Sequence, residues 1–202
     1  MFQKILRNAG NPQGFWGRLM MRSMNKEHAW LALWGLGKIS LAEDAAVLDI
    51  GCGGGANLAR LLAACPRGHV TGIDHSGDAV QISRRRNAKE LGRRCEVVQG
   101  SAVDLPFGEA RFDAVAAVET VYFWPDLARA FAEVYRVLRS PGCFLIVNQL
   151  DGLESIQWAD MIEGMTTHSP QRLRDLLTAA GFQQVETHRR TKHAFCLVAQ
   201  KS

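Results

Sequence analysis

The largely apolar run at 45–50 stops at Gly51-Cys52-Gly53-Gly54-Gly55, and a helical pattern over about 56–64 begins at once. This junction constrains the fold more than any other stretch. The run has the length and β-branched content of a buried parallel strand, and the glycines let the turn bring its backbone close against a ligand. The helix that follows offers free N–H groups at its start. Asp74, in Gly72-Ile73-Asp74, stands nineteen residues beyond Gly55, at the end of the next apolar run. An acid in that place reads a ribose hydroxyl. Strand, glycine turn, helix and acid together predict a parallel α/β fold with a nucleotide-type cofactor.

The rest of the chain keeps the same rhythm. Apolar or alternating runs fall at about 46–50, 69–73, 95–99, 112–118 and 143–148, and helical patterns at about 56–64, 77–91 and 126–138. Strands that alternate with helices predict a parallel sheet covered on both faces. The ending differs. Ser169-Pro170 opens a helix that stops at Gly181, and the segments 182–190 and 191–200 are too close in sequence to pair except as an antiparallel hairpin. With 202 residues and 47% hydrophobic composition, one α/β domain is expected.

Read literally, Gly51-Cys52-Gly53-Gly54-Gly55-Ala56 satisfies the dinucleotide pattern G-x-G-x-x-G/A, so a nicotinamide or flavin enzyme is one reading. The narrower pattern D-x-G-x-G-x-G over Asp49, Gly51, Gly53 and Gly55 resembles the first motif of class I S-adenosylmethionine-dependent methyltransferases, of the type-11 domain kind. An acid beside the turn suits a cationic ammonium and sulfonium ligand and would repel a pyrophosphate. The resemblance runs over about 45–200. Gly100-Ser101-Ala102-Val103-Asp104-Leu105-Pro106-Phe107 occupies the family's G-D-A-x-x-L-P-F slot, with Ser101 where the family has the Asp that meets the adenine amine. The stretch 112–119 is similar to the family's fourth strand, and 133–143 to the helix and tight turn before its fifth.

That resemblance implies a Rossmann-like three-layer sandwich with a mostly parallel seven-stranded sheet in the order 3-2-1-4-5-7-6, closed by the antiparallel hairpin. It implies S-adenosylmethionine as cofactor, held by Asp49, Gly51, Cys52, Gly53, Asp74, His75, Ser101, Ala102, Val118 and Glu119. Methyl transfer from a sulfonium is an in-line displacement with a neutral leaving group, so positioning in a dry pocket carries most of the work. The methyl group belongs outside the carboxyl ends of strands one and four. Glu119 follows a purely apolar run there, and is expected to bind the methionine end of the cofactor or to take a proton from the acceptor. Tyr122, Phe123 and Trp124 either line an acceptor pocket or pack beneath the helix capped by Asp126.

Residues 1–44 lie outside this core and form an expected helical cover, with the methyltransferase domain at 45–202. Trp16, Met20 and Met24, and likewise Trp30 and Trp34, are spaced by helical turns. This stripe either packs on the sheet or forms a lid. If it is a lid, Asn25 is an acceptor contact and His28 a second candidate base, as a similar segment in a group of small bacterial methyltransferases suggests. A second cover at 156–168 carries Trp158, Met161 and the acceptor-side candidate Met165. Asp113 reads as structural, holding neighbouring backbone, and Cys52 as a small turn residue and no nucleophile.

The formal charge is +4, concentrated in Arg84-Arg85-Arg86, Arg93-Arg94 and Arg189-Arg190. These arginines read as solvated faces, with an RNA-binding stripe as the other possibility. Five cysteines show neither a C-x-x-C pair nor a metal-ligand spacing, so no metal is expected. No run approaches the ~18 apolar residues of a membrane span. A cytoplasmic enzyme acting on a small-molecule acceptor, as monomer or homodimer, is the expectation. An RNA methyltransferase, a nicotinamide oxidoreductase and a cofactor-binding module without turnover remain as alternatives.

Overall fold

A computed structural model describes residues 29–149 and 164–202. The expectations placed on Asn25, His28, Trp16, Met20, Met24, Trp158 and Met161 lie outside the described residues. The described elements are α1 (Ala29–Leu36), β1 (Ala46–Ile50), α2 (Ala56–Ala64), β2 (His69–Asp74), α3 (Gly77–Arg86), β3 (Cys95–Gln99), β4 (Phe112–Val118), α4 (Leu127–Val137), β5 (Leu138–Asn148), α5 (Pro170–Ala179), β6 (Gln183–Arg189) and β7 (Phe195–Lys201). The seven strands form one sheet in the order β3-β2-β1-β4-β5-β7-β6. Strands β1 to β5 pair in parallel, and β7 pairs antiparallel with both β5 and β6. Strand order reverses between β1 and β4, the switch point at whose carboxyl edge open α/β sheets bind their ligands.

Alternation along the strands sends side chains to two covered faces. Leu48, Val115, Phe144, Ile146 and Leu197 pack on one face with Phe131 and Val134 of α4 and Leu173 and Leu177 of α5. On the other face Val47, Val70 and Val97 meet Leu58, Leu61 and Leu62 of α2 and Val80 of α3. Full burial of one such Leu, Val or Phe contributes about 1.5–3 kcal/mol. The result is the three-layer sandwich that the strand–helix rhythm predicts.

Three local expectations are corrected. Helix α3 ends at Arg86 instead of 91, because the Asn87 amide turns back to donate to Ser83 O and Gly55 O. Strand β5 starts at Leu138, five residues earlier than the apolar run at 143–148. The turn before it is drawn into the sheet through a register shift, with Phe112 opposite Leu138 and Ala114 opposite Cys143. Helix α1 packs on the sheet through Trp34, partly buried against the cluster of Leu145 and Val147, and not through Trp30. It buries Leu31, Ala32 and Gly35, while Trp30 stays 41% exposed under the Arg190 guanidinium. Gly35 permits this approach, since a Cβ there would lie 2.4 Å from Val147 Cγ2.

Candidate active site

The glycine turn is held by contacts that leave no room for a side chain at Gly51 or Gly55. Gly51 and Cys52 donate their N–H groups to Ile73 O at 2.8 and 3.1 Å, which ties the end of β1 to β2. Gly51 has φ +74°, and a Cβ on it would stand 2.0 Å from Thr120 Oγ1. At Gly55, also at φ +74°, a Cβ would meet Ser83 Oγ at 2.5 Å and Asn87 Nδ2 at 2.6 Å. Both glycines are therefore required by position as well as by φ. Gly55 is the N-cap of α2 and provides no side-chain cap, so the first N–H groups of that helix remain available to a ligand.

Two carboxylates sit under the turn. Asp74 accepts from Gly53 N–H and from Ser76 N–H, each at 2.9 Å, and His75 Nδ1 lies 3.6 Å from Asp74 Oδ1 with its ring half-exposed. Asp49 is 1% exposed, and its Oδ2 is buried without any hydrogen-bond partner. Burial first, then the charge of Asp74, push the Asp49 carboxyl up to about 7, against the opposing pull of Arg60. A buried acid oxygen without a donor calls for a cation or a donor group. The ammonium and sulfonium of S-adenosylmethionine meet that need, and a pyrophosphate would add a third negative charge beside Asp49 and Asp74. The residues present fit the methyl donor.

The thiol of Cys52 points toward Ser83 Oγ at 3.9 Å, and burial together with Asp49 and Asp74 pushes it well above the ordinary thiol range. It stays protonated, as expected of a turn residue that is no nucleophile. In the loop after β3, Ser101 Oγ accepts from Val103 N–H at 3.4 Å, and Ala102 is buried beside it. The Glu133–Arg136 pair of α4 fixes this loop: Glu133 Oε2 accepts from Leu105 N–H, and Arg136 donates to Phe107 O and Leu105 O. Arg136 in turn holds the Glu133 carboxyl below its usual range. Asp113 accepts from Ala46 N–H at 2.7 Å and from Arg139, so it clamps the start of β1 to β4.

On the β4 side the chain turns sharply. Glu119 has φ +58°, its N–H donates to Val147 O at 2.8 Å, and its Oε1 accepts from Tyr122 Oη at 3.0 Å and from Gln149 N–H at 2.5 Å. Burial pushes the Glu119 carboxyl up to about 7 even though both hydrogen bonds pull the other way. A non-glycine residue at positive φ stores strain, and such residues gather at functional sites. Tyr122 is 3% exposed, and its carbonyl accepts from Thr166 N–H, which brings buried Met165 to the same edge. Trp124 turns inward, stacked on Phe144 at 6.5 Å, with its indole N–H reaching Thr120 Oγ1 at 3.4 Å. It packs beneath α4 and backs the residue that abuts Gly51. Val118 joins the cluster of Leu31, Leu145 and Val147 beneath α1.

The fold therefore gathers Asp49, Gly51, Cys52, Gly53, Asp74 and His75 at the ends of β1 and β2. It gathers Glu119, Tyr122 and Met165 beyond β4 and β5. Sequence reasoning missed Gln149, which binds Glu119 through its main chain and so leaves no side-chain signal. It also missed Ser83 and Asn87, whose signal was one helical turn of polar residues on the buried side of α3.

The methyltransferase-domain family matches residues 47–142. An O-methyltransferase of Penicillium expansum is 32% identical over 161 residues, covering 74% of this chain and 56% of that protein. A fatty-acid O-methyltransferase of Mycolicibacterium smegmatis is 37% identical over 117 residues, 57% of this chain and 41% of that one. The chain thus spans about half the length of these curated relatives. The crystal structure of a SAM-dependent methyltransferase from Aquifex aeolicus superposes with a TM-score of 0.75 at 18% identity, covering 90% of this chain and 96% of that one, which is a likeness of fold.

Proposed function

The chain carries the methyltransferase domain of the class I S-adenosylmethionine-dependent family, and from that premise we propose that it methylates a small-molecule acceptor. The observation that carries this reading is the buried, unpartnered Asp49 Oδ2 beneath a turn that admits no side chain at Gly51. Bound S-adenosylmethionine supplies an electrophilic methyl group on a cationic sulfur. Asp49 would release its proton to solvent and pair with the bound cation. The backbone of Gly51, Cys52 and Gly53 would lie against the cofactor, while Asp74, His75, Ser101 and Ala102 would hold the nucleoside.

Glu119, raised to about 7, is matched to taking a proton from a hydroxyl or amine acceptor near neutral pH. Tyr122 and Gln149 N–H hold its carboxyl in place. Tyr122 and Met165 border the acceptor, with Trp124 as their support. A small molecule is favoured over RNA because Arg84 and Arg94 spend their guanidinium groups on main-chain carbonyls, Val97 O for the first and Leu62 O and Cys65 O for the second. No described helix is long and apolar enough to cross a membrane. We place the protein in the cytoplasm, where its free cysteines stay reduced, and as a monomer or homodimer. Cell extract incubated with enzyme and labelled S-adenosylmethionine tests the acceptor class. Labelling that disappears when small molecules are removed supports the reading, and labelling retained on RNA or protein refutes it.

A further inference from the structure

Asn148, the last residue of β5, is fully buried, yet neither Oδ1 nor Nδ2 of its amide has a hydrogen-bond partner. Register places it opposite Phe195 of β7. Alternation along β5 sets it on the face of Phe144 and Ile146, away from Leu145 and Val147. His168 belongs to the same face and the same edge. Strand β6 runs from Gln183 opposite Gln200 to Arg189 opposite Phe195, so α5, which turns directly into β6, has its amino end at the Asn148 edge. His168 precedes that end by two residues, is 8% exposed, and has a buried Nε2 without a partner. The two residues are stitched into one neighbourhood: Thr166 N–H donates to Tyr122 O, and Gln149 N–H to Tyr122 Oη, each at 2.8 Å.

Buried amides and imidazoles are almost always paired, because an unpaired dehydrated donor or acceptor is costly. Here three unpaired polar atoms stand at the edge where the acceptor enters. Burial and the charge of Arg172 hold His168 below the ordinary histidine range, so the ring is neutral, and Asn148 carries no charge. We propose that Asn148 and His168 form a recognition subsite for an uncharged group that both donates and accepts, a carboxamide or a hydroxyl, on the methyl acceptor. The proposal rests on the methyltransferase reading. Asn148 Oδ1 accepts from the group, Nδ2 donates to it, and His168 Nε2 completes the set. An acceptor that is hydrocarbon at this position leaves all three atoms unpaired and is rejected, since sites built to hydrogen-bond discriminate strongly against apolar analogues.

Ligand-observed NMR on the full chain saturated with S-adenosylhomocysteine tests this, with benzamide as probe and toluene as the apolar control. Benzamide is expected to bind the wild type and to weaken by roughly tenfold or more in Asn148→Leu, with toluene binding not weakened. His168→Phe is expected to weaken benzamide in the same direction, and it carries the test if Asn148→Leu does not fold. An asparagine with only a structural role gives a different result: Asn148→Leu raises the melting temperature and leaves benzamide binding unchanged. That result, or no benzamide binding to the wild type, overturns the subsite. Stabilisation by S-adenosylhomocysteine is read first on the wild type, and its absence overturns the methyltransferase reading itself.

Discussion

The carboxyl ends of β1 and β4 each hold an acid pushed up to about 7 by dehydration, yet Asp49, fully buried, and Glu119, half-buried, are built into the fold differently. Asp49 stands in a regular strand, under a turn set by glycines, and presents an oxygen with no partner. Glu119 stands at φ +58°, gripped by Tyr122 and by the main chain of Gln149. In the proposed function, the first acid receives a cation that comes from outside. The second is positioned by the protein itself, which suits a group that must be aimed at a proton. On the proposed function, a raised acid serves binding on one side of the switch point and chemistry on the other.

The sharpest way to break the β1 side is Gly51→Ala. A Cβ 2.0 Å from Thr120 Oγ1 at φ +74° forces the turn apart. Roughly 100-fold weaker S-adenosylmethionine binding by calorimetry, with a loss of about 2–3 kcal/mol in urea unfolding, is expected. On the β4 side, Glu119→Gln should lower kcat by roughly tenfold or more while leaving the fold intact. A rate equal to wild type would remove Glu119 from the mechanism.

Titration distinguishes the two acids. If the cationic donor pairs with ionised Asp49 as proposed, its affinity should rise with pH, by up to about tenfold per unit below 7, and level off above. In Asp49→Asn that slope should flatten, and in Glu119→Gln it should persist. Stability without ligand runs the opposite way. Both acids have folded values raised above their ordinary 3.8 and 4.5. Their contribution is fully present below those values and is lost as pH rises to about 7. Thermal melting from pH 5 to 8 should show that decline, and each neutral substitution should lessen it. The smallest effect belongs to Asp113→Ala, which removes the clamp on Ala46 N–H and Arg139. It should cost about 1–3 kcal/mol of stability and leave cofactor affinity unchanged by calorimetry.

The same contrast explains what was legible in the sequence. Asp49, the three positive-φ glycines and Asp74 lie within one strand–turn–helix–strand unit, where spacing alone dictates geometry. The hairpin was legible for a similar reason, because a short connection leaves few topologies, whereas the strand order came from the resemblance to the methyltransferase family. The acceptor side depends on contacts between distant segments. Gln149 meets Glu119 across 30 residues, and Thr166 meets Tyr122 through main-chain atoms alone. No local pattern encodes such a meeting. Trp124 shows the limit from the other direction: an aromatic beside the site is as good a core residue as a pocket wall until packing against Phe144 decides. Helix α1 repeats the lesson, since Trp34 packs toward β5 while Trp30 stays exposed, and Gly35 sets how close the helix comes.

Calorimetric titration of the wild-type chain with S-adenosylmethionine, S-adenosylhomocysteine and NAD tests the central claim most directly. The account predicts saturable binding of both adenosyl ligands, with S-adenosylmethionine losing more than S-adenosylhomocysteine in Asp49→Asn, and no binding of NAD. Binding of NAD without binding of S-adenosylhomocysteine would contradict it.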